Sequence, residues 1–116
     1  MKEQEKMLSG ELYYANDKAL EKLRIKAKDL CYDYNNLRPS KIEERKAILK
    51  KILGKTKENF IIEQPFMCDY GYNIDVGENF YSNHNLIILD GNKVKFGDNV
   101  LIRTKLCFLY SRSSIR

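Results

Sequence analysis

The chain has 116 residues, 43% of them hydrophobic and 32% charged, which is the composition of one soluble globular domain. No apolar stretch approaches the roughly 18 residues of a membrane span, and residues 1–6 lack the apolar core of a signal peptide. We therefore expect a cytoplasmic protein with no membrane partner. The net charge of +5 comes largely from lysines interleaved with glutamates, which indicates solvated helix surface rather than nucleic-acid binding.

The cysteines predict neither a disulfide framework nor a metal site. Cys31, Cys68 and Cys107 are odd in number and widely spaced, and His84 is the single histidine. We expect reduced, buried or half-buried thiols and no metal.

The first half of the sequence predicts two helices. Asn16 or Asp17 can cap the first helix, and Pro39 ends it. Its apolar stripe consists of Leu20, Leu23, Ala27, Leu30, Cys31 and Tyr34. Ser40, with Glu43 three residues later, has the spacing of a capping box for the second helix. The inner face of that helix should carry Ile42, Leu49, Ile52 and Leu53. The two helices form a short hairpin, which needs another surface to pack on.

The second half is β-rich and repeats with a period of twenty residues. Residues 73–81 (NIDVGENFY) and 93–101 (KVKFGDNVL) share a Gly-acid-Asn corner between apolar positions, and residues 86–89 form a strand between them. Glycine and asparagine tolerate the positive φ that a sharp corner demands. The pattern predicts a left-handed parallel β-helix of hexapeptide repeats. The alternative is two ordinary β-hairpins with similar turns.

We therefore predict an α+β protein in which a helical hairpin, residues 1–57, packs on an incomplete β-helix, residues 58–116. Six stretches in sequence order support a family assignment. Residues 5–13 (EKMLSGELY) match the opening E-K-M-x-x-G-x-x-Y, and residues 32–40 match the segment at the helical link. The others are residues 69–74, 79–85, 89–90 and 97–100. On these stretches the chain resembles the N-terminal portion of the maltose and galactoside O-acetyltransferase family.

The resemblance implies a function and site residues. In that family the hairpin packs over the sugar-binding end of the β-helix, three chains associate, and acetyl-CoA lies between neighbouring chains. A histidine is the general base for a sugar hydroxyl, and an asparagine helps to hold the oxyanion. Asn83 falls at the position of that asparagine, and Asp69 and Asp90 fall at turn positions that would bind the sugar with it. For all three residues, turn chemistry is the alternative.

The resemblance ends before the family's general base. Counting from Asn99 and Val100 places Ser113 and Ser114 at the family's His-Pro motif. Serine is no base near pH 7, and His84 lies where the family carries unrelated residues. We expect a chain truncated before the catalytic histidine and most of the acetyl-CoA site, with no cofactor-binding residues of its own and little or no activity.

Two functions remain open from the sequence. The first is a truncated acetyltransferase acting on maltose, glucose or a galactoside-like sugar. The second is a non-catalytic sugar-binding protein, or a partner in a mixed trimer with a full-length relative; a homotrimer is also possible. Open strand edges in an incomplete β-helix further predict marginal stability or self-association.

Overall fold

The computed structural model of the protein describes residues 5, 13–14, 17–103, 107–109 and 114–115. Both predicted helices form, and they pack against each other. Helix α1 spans Lys18–Asn35 and helix α2 spans Ile42–Ile52. The Asp17 carboxylate caps α1, because it accepts the backbone N–H groups of Ala19 at 3.0 Å and Leu20 at 3.2 Å. This confirms Asp17 as the cap; the other candidate, Asn16, lies outside the described residues.

Helix α2 begins differently from the prediction. The backbone N–H of Lys41 donates to the carbonyl of Arg38 at 2.9 Å, and this turn places Lys41, not Ser40, at the N-cap. Lys41 makes no side-chain cap hydrogen bond, so the predicted capping box is wrong. The inner-face position of Ile42 is also wrong, since its side chain is 66% exposed. The other three predicted inner residues are buried: Leu49, Ile52 and Leu53.

Beyond the helices, the chain passes repeatedly through three parallel sheets. The strands are β2 (Phe60–Ile62), β3 (Phe66–Cys68), β4 (Ile74–Asp75), β5 (Phe80–Ser82), β6 (Leu86–Leu89), β7 (Val94–Lys95), β8 (Leu101–Ile102) and β9 (Cys107–Leu109). They pair as β2–β5–β8, β3–β6–β9 and β4–β7, and a separate parallel pair joins β1 (Tyr13–Tyr14) to β10 (Ser114–Ile115). Residues twenty apart are partners, as Phe60 and Phe80 are. The repeat is therefore confirmed, and the hairpin alternative is wrong because hairpins pair antiparallel strands.

The hydrophobic core fills the inside of these coils and continues under α1. Strands β2 and β3 alternate between buried and exposed residues, as strands with one buried face do. The coils contribute the buried side chains of Phe60, Ile62, Phe66, Cys68, Ile74, Phe80, Leu86 and Ile88. Helix α1 contributes Ala27, Cys31 and Tyr34. One continuous core thus joins the hairpin to the coils.

Asparagine and glycine serve different purposes at the corners. Asn79 and Asn99 both have a positive φ of 59°, as predicted. Asn85, which lies outside the predicted Gly-acid-Asn corners, also has a positive φ, of 71°. Gly77 does not have positive φ; it is required because a Cβ atom there would lie 2.4 Å from the Gly97 carbonyl oxygen of the next coil. The prediction of positive φ is therefore correct for the asparagines and wrong for the corner glycine, whose role is close backbone approach.

Side chains also connect the corners of successive coils. The Asn79 Nδ2 donates to Asn99 Oδ1 at 3.0 Å, and the backbone N–H of Glu78 donates to the Asp98 carboxylate at 2.8 Å. Both contacts join residues that are one repeat apart. The corners therefore form a ladder of polar contacts, which runs beside the strand pairing.

The end of α1 is tied to the coils by two amide side chains. Asn35 donates to the Phe66 carbonyl at 3.0 Å and accepts the Phe66 N–H at 2.9 Å, so it pairs with β3 as a neighbouring strand would. Gln64 Nε2 donates to the carbonyls of Tyr34 at 2.7 Å and Leu37 at 2.8 Å. These bonds fasten the C-terminal end of α1 to the strand region of the coils.

Two thiols meet where α1 packs on β3. The Sγ atoms of Cys31 and Cys68 are 3.7 Å apart, and both residues are buried and unbridged. The predicted burial is confirmed for these two cysteines, whereas the side chain of Cys107 lies outside the description. Nothing in the sequence predicts their contact, because 37 positions separate the two residues.

Within the described part of the chain, no helix is long and apolar enough to cross a bilayer. In that same part, no three His, Cys, Asp or Glu side chains gather in a way that suits a metal ion.

Candidate functional site

Asp69 and Asp90, two predicted sugar-binding residues, lie together at the corner that follows β3 and β6. The Asp90 side chain is fully buried. Its Oδ1 accepts the backbone N–H groups of Asp69 at 3.1 Å and Tyr70 at 2.8 Å, and its Oδ2 accepts that of Gly71 at 2.8 Å. The Asn73 side chain donates to the Asp90 carbonyl at 2.9 Å. One carboxylate thus holds the turn of the preceding coil.

The environment of the Asp90 carboxylate favours the turn-chemistry alternative. Burial raises the pKa of Asp90 to about 6, because the loss of hydration outweighs the stabilisation of the charge by the amide donors. A sugar hydroxyl would have to compete with three backbone N–H groups for the same two oxygens. Asp69 is itself buried at the first position of this turn. A direct sugar contact by either residue remains a prediction.

An arginine and two tyrosines connect the hairpin to this turn. Arg24 of α1 donates to the Tyr70 hydroxyl at 2.8 Å, and the Tyr70 and Tyr72 rings pack with their centroids 5.7 Å apart. The space between them and α2 is about 70 Å³, and Lys26 and Lys51 also line it. Ligand pockets usually exceed about 300 Å³, so this space is too small for a sugar ring. Sequence reasoning missed Arg24, whose spacing marks it only as a helix-surface residue.

Asn83 lies at a different corner, between β5 and β6. Its Nδ2 donates to the Arg103 carbonyl of the next coil at 2.8 Å, and its Oδ1 accepts the His84 N–H at 2.8 Å. The four residues of strand β6 separate it from Asp90, so about 13 Å of extended chain lies between the two corners. The structure therefore brings Asp69 and Asp90 together and leaves Asn83 apart from them. The Arg103 carbonyl takes one of the two N–H groups of Nδ2, so an oxyanion would have to accept the other.

The side chain of the single histidine, His84, contacts other residues at the protein surface. The side chain of His84 is 59% exposed, its Nδ1 hydrogen-bonds to the Gln64 carbonyl, and its Nε2 lies 3.9 Å from a Glu63 carboxylate oxygen. Glu63 also pairs with Arg45 at 3.2 Å. Both ring nitrogens thus face residues of the preceding coil. Ser113, at the position of the family's histidine, lies outside the described residues.

Among the described residues, the predicted contact to the acetyl group is the Asn83 amide. Its Nδ2 donates one of its two N–H groups to the Arg103 carbonyl, which leaves the other for a ligand. A depression of about 720 Å³ lies at another corner, where lysines and acidic residues both line it. Its polar side chains are Lys55, Thr56, Lys57, Asp75, Lys95 and Asp98. None of the predicted site residues is among them.

Comparison with known proteins agrees with this architecture. Residues 6–57 match the maltose acetyltransferase hexapeptide capping motif. The chain is 39% identical over 98 residues to the galactoside O-acetyltransferase of Escherichia coli, covering 84% of this chain and 48% of that protein. It resembles the crystal structure of a maltose O-acetyltransferase from Clostridium difficile with a TM-score of 0.86 and 48% identity, over 87% of this chain and 54% of that one.

A third likeness is to a hexapeptide-repeat acetyltransferase of Vibrio cholerae, solved in complex with acetyl-CoA. The TM-score is 0.78 and the identity 33%, over 88% of this chain and 55% of that one. The chain thus has the architecture of the hexapeptide-repeat acetyltransferases. Within that class it resembles part of the maltose and galactoside O-acetyltransferases, and residues 6–57 match their capping motif. It spans about half the length of the curated relatives that it matches.

Proposed function

We propose that this chain is the sugar-side half of an acetyl-CoA-dependent sugar O-acetyltransferase and that it transfers little or no acetyl group alone. The observation that carries the proposal is that both ring nitrogens of His84 face residues 63 and 64. The close likeness to maltose and galactoside O-acetyltransferases supports the same proposal. The acceptor would be maltose, glucose or a galactoside-like sugar. In this proposal the three sheets form a left-handed β-helix and the hairpin covers its first coil.

The proposed roles follow the chemistry of acyl transfer. Asn83 Nδ2 would donate to the oxyanion that forms when a sugar hydroxyl attacks the thioester. Asp69 would contact the sugar, and Asp90 would hold the turn that presents Asp69. The proposal assigns no general base for the hydroxyl proton among the described residues, and such a base contributes about 10²- to 10⁴-fold to such reactions. The serine at the base position does not accept a proton near neutral pH.

An activity assay tests this proposal directly. With acetyl-CoA and maltose, glucose or a galactoside, we expect the purified chain to release free thiol at the rate of a protein-free control. The reason is that the described part of the chain supplies no assigned general base for the acceptor hydroxyl. The galactoside O-acetyltransferase of Escherichia coli serves as the positive control. Sugar-dependent thiol release that Asn83→Ala abolishes would show that the chain is an active enzyme.

A row of exposed apolar side chains favours the second candidate, a role as a subunit partner. On the outer face of the β2–β5–β8 sheet, Ile61 pairs in register with Tyr81, and Tyr81 with Leu101. Ile61 and Leu101 are 52% and 51% exposed. Across a depression of about 370 Å³ lies the exposed Ile42. Lys46 and Glu58 also line this depression. Exposed apolar side chains with polar neighbours of this kind are typical of protein interfaces. We propose that this row contacts a second copy or a full-length relative.

Charged substitutions in this row should weaken the assembly. We expect Ile61→Lys and Leu101→Lys to raise the dissociation constant of self-association by about tenfold or more, because each buries a charge at the interface. Ile25→Lys, at an exposed apolar residue of α1, is the matched control and should leave association unchanged. Analytical ultracentrifugation measures the constant, and co-purification with a tagged full-length relative separates mixed from homotypic assembly. A wild-type chain that stays monomeric with both partners would contradict the proposal.

A further inference from the structure

The paired thiols of Cys31 and Cys68 have no part in the proposed function. They join two elements that are far apart in sequence, α1 and β3, and their Sγ atoms are 3.7 Å apart. Cys31 is 0% exposed and Cys68 is 3% exposed. On one side of the pair, Asn35 pairs with Phe66; on the other, Cys68 directly precedes the turn that Asp90 holds. The backbones on both sides are thus fixed by hydrogen bonds.

We propose that Cys31 and Cys68 form an intramolecular disulfide in the presence of a low-molecular-weight disulfide, which makes them a redox-sensitive link between α1 and the coils. A bond requires the sulfur atoms to approach to about 2.0 Å. The remaining distance is small enough for side-chain rotation with a slight shift of α1. The link would close a loop that contains all of α2, and it would fix the hairpin beside the Asp69 turn.

The chemistry is thiol–disulfide exchange, with oxidised glutathione as the example. The Cys31 thiolate attacks one glutathione sulfur, forms a mixed disulfide and expels the first glutathione thiolate. Cys68 then attacks the Cys31 sulfur and expels the second. The protein loses two electrons and two protons, and both are recovered in two molecules of reduced glutathione.

The order of attack follows from the contact between the thiols. A hydrogen bond from the Cys68 thiol lowers the pKa of Cys31. The same hydrogen bond and burial raise the pKa of Cys68. Cys31 therefore supplies the first thiolate. Because both thiols are buried, the oxidant reaches them when α1 opens locally, and the exchange is slow.

The test uses Cys107→Ser, which removes the third cysteine and leaves only the pair. This variant is equilibrated in glutathione redox buffers from two starting points, the reduced protein and protein refolded under oxidising conditions. We expect both samples to reach the same state in oxidising buffer: two hydrogen atoms lighter, free of glutathione, with a Cys31–Cys68 peptide cross-link. The oxidised protein should melt at least about 5 °C higher than the reduced protein, because the link restricts the unfolded chain.

The two starting points, reduced and oxidised protein, separate slow disulfide formation from disulfide formation that is thermodynamically unfavourable. Single-thiol controls, Cys31→Ser and Cys68→Ser in the Cys107→Ser background, should form no such cross-link. The proposal is overturned if protein refolded under oxidising conditions lacks the Cys31–Cys68 bond. It is also overturned if the bonded protein melts no higher than the reduced form. Neither outcome depends on acetyl transfer, so this test is independent of the proposed function.

Discussion

Replacement of Asp90 by asparagine should lower the free energy of unfolding by about 2–4 kcal/mol at neutral pH. One carboxylate oxygen becomes an NH₂ group, which faces backbone N–H groups of residues 69–71 and leaves buried donors unpaired. Urea denaturation measures the change. Asp98→Asn is the matched control, since that exposed carboxylate accepts a single backbone N–H, from Glu78. Its cost should stay below about 1 kcal/mol. Equal costs for the two variants would show that the buried carboxylate does not hold the turn.

The same substitution should change the pH dependence of stability. Burial raises the pKa of Asp90 from 3.8 to about 6, so the folded chain binds this proton more tightly than the unfolded chain. The resulting stability is present below about pH 4 and is lost as the pH rises through about 6, by on the order of 3 kcal/mol. Asp90→Asn lacks this titration. The stability of the wild type relative to the variant should therefore fall across that range, and a flat difference would contradict the raised pKa.

Gly71→Ala should cost about 2–4 kcal/mol of unfolding free energy. Gly71 has a φ of +86°, and a Cβ atom there would lie 2.3 Å from the Ile52 carbonyl oxygen at the end of α2. Both the backbone conformation and the contact exclude a side chain. The matched control is Gly97→Ala, because a Cβ atom at Gly97 would meet no heavy atom within 4 Å. Thermal unfolding of the two variants measures the difference. Gly97→Ala should change stability by less than about 0.5 kcal/mol. Similar midpoints for the two variants would refute this account of the turn.

The sequence predicted those features of the fold that depend on short-range pattern. The cap at Asp17 needs only two nearby N–H groups, and the twenty-residue repeat is visible because each coil meets the same packing requirement. The predictions that were wrong concern residues whose conformation or burial depends on a contact with a neighbouring segment. Ser40 and Lys41 can both precede a helix, and the turn that starts at Arg38 selects Lys41. Ile42 follows the apolar spacing of α2, yet it lies on the edge of the depression that β2 and β5 line.

The candidate site was harder to predict for a physical reason. The spacing of Asp90 suggests a polar side chain at a corner, but its role depends on three N–H groups that lie one coil earlier. Such a contact follows from register, which is a property of the stacked coils and not of the segment itself. The contact between Cys31 and Cys68 is likewise non-local. For Asn83 the resemblance predicts a position and a role, whereas the contact with Arg103 comes only from the structure.

The polar ladder at the corners constrains how this protein can change in length. Asn79 bonds to Asn99, and Glu78 to Asp98, only while one repeat separates the members of each pair. A single residue inserted into a strand would shift every later rung and turn inward-facing side chains outward. Length changes are therefore tolerated in two forms, as loops that protrude from a corner or as whole coils. Relatives of this chain should differ in length by these two kinds of step.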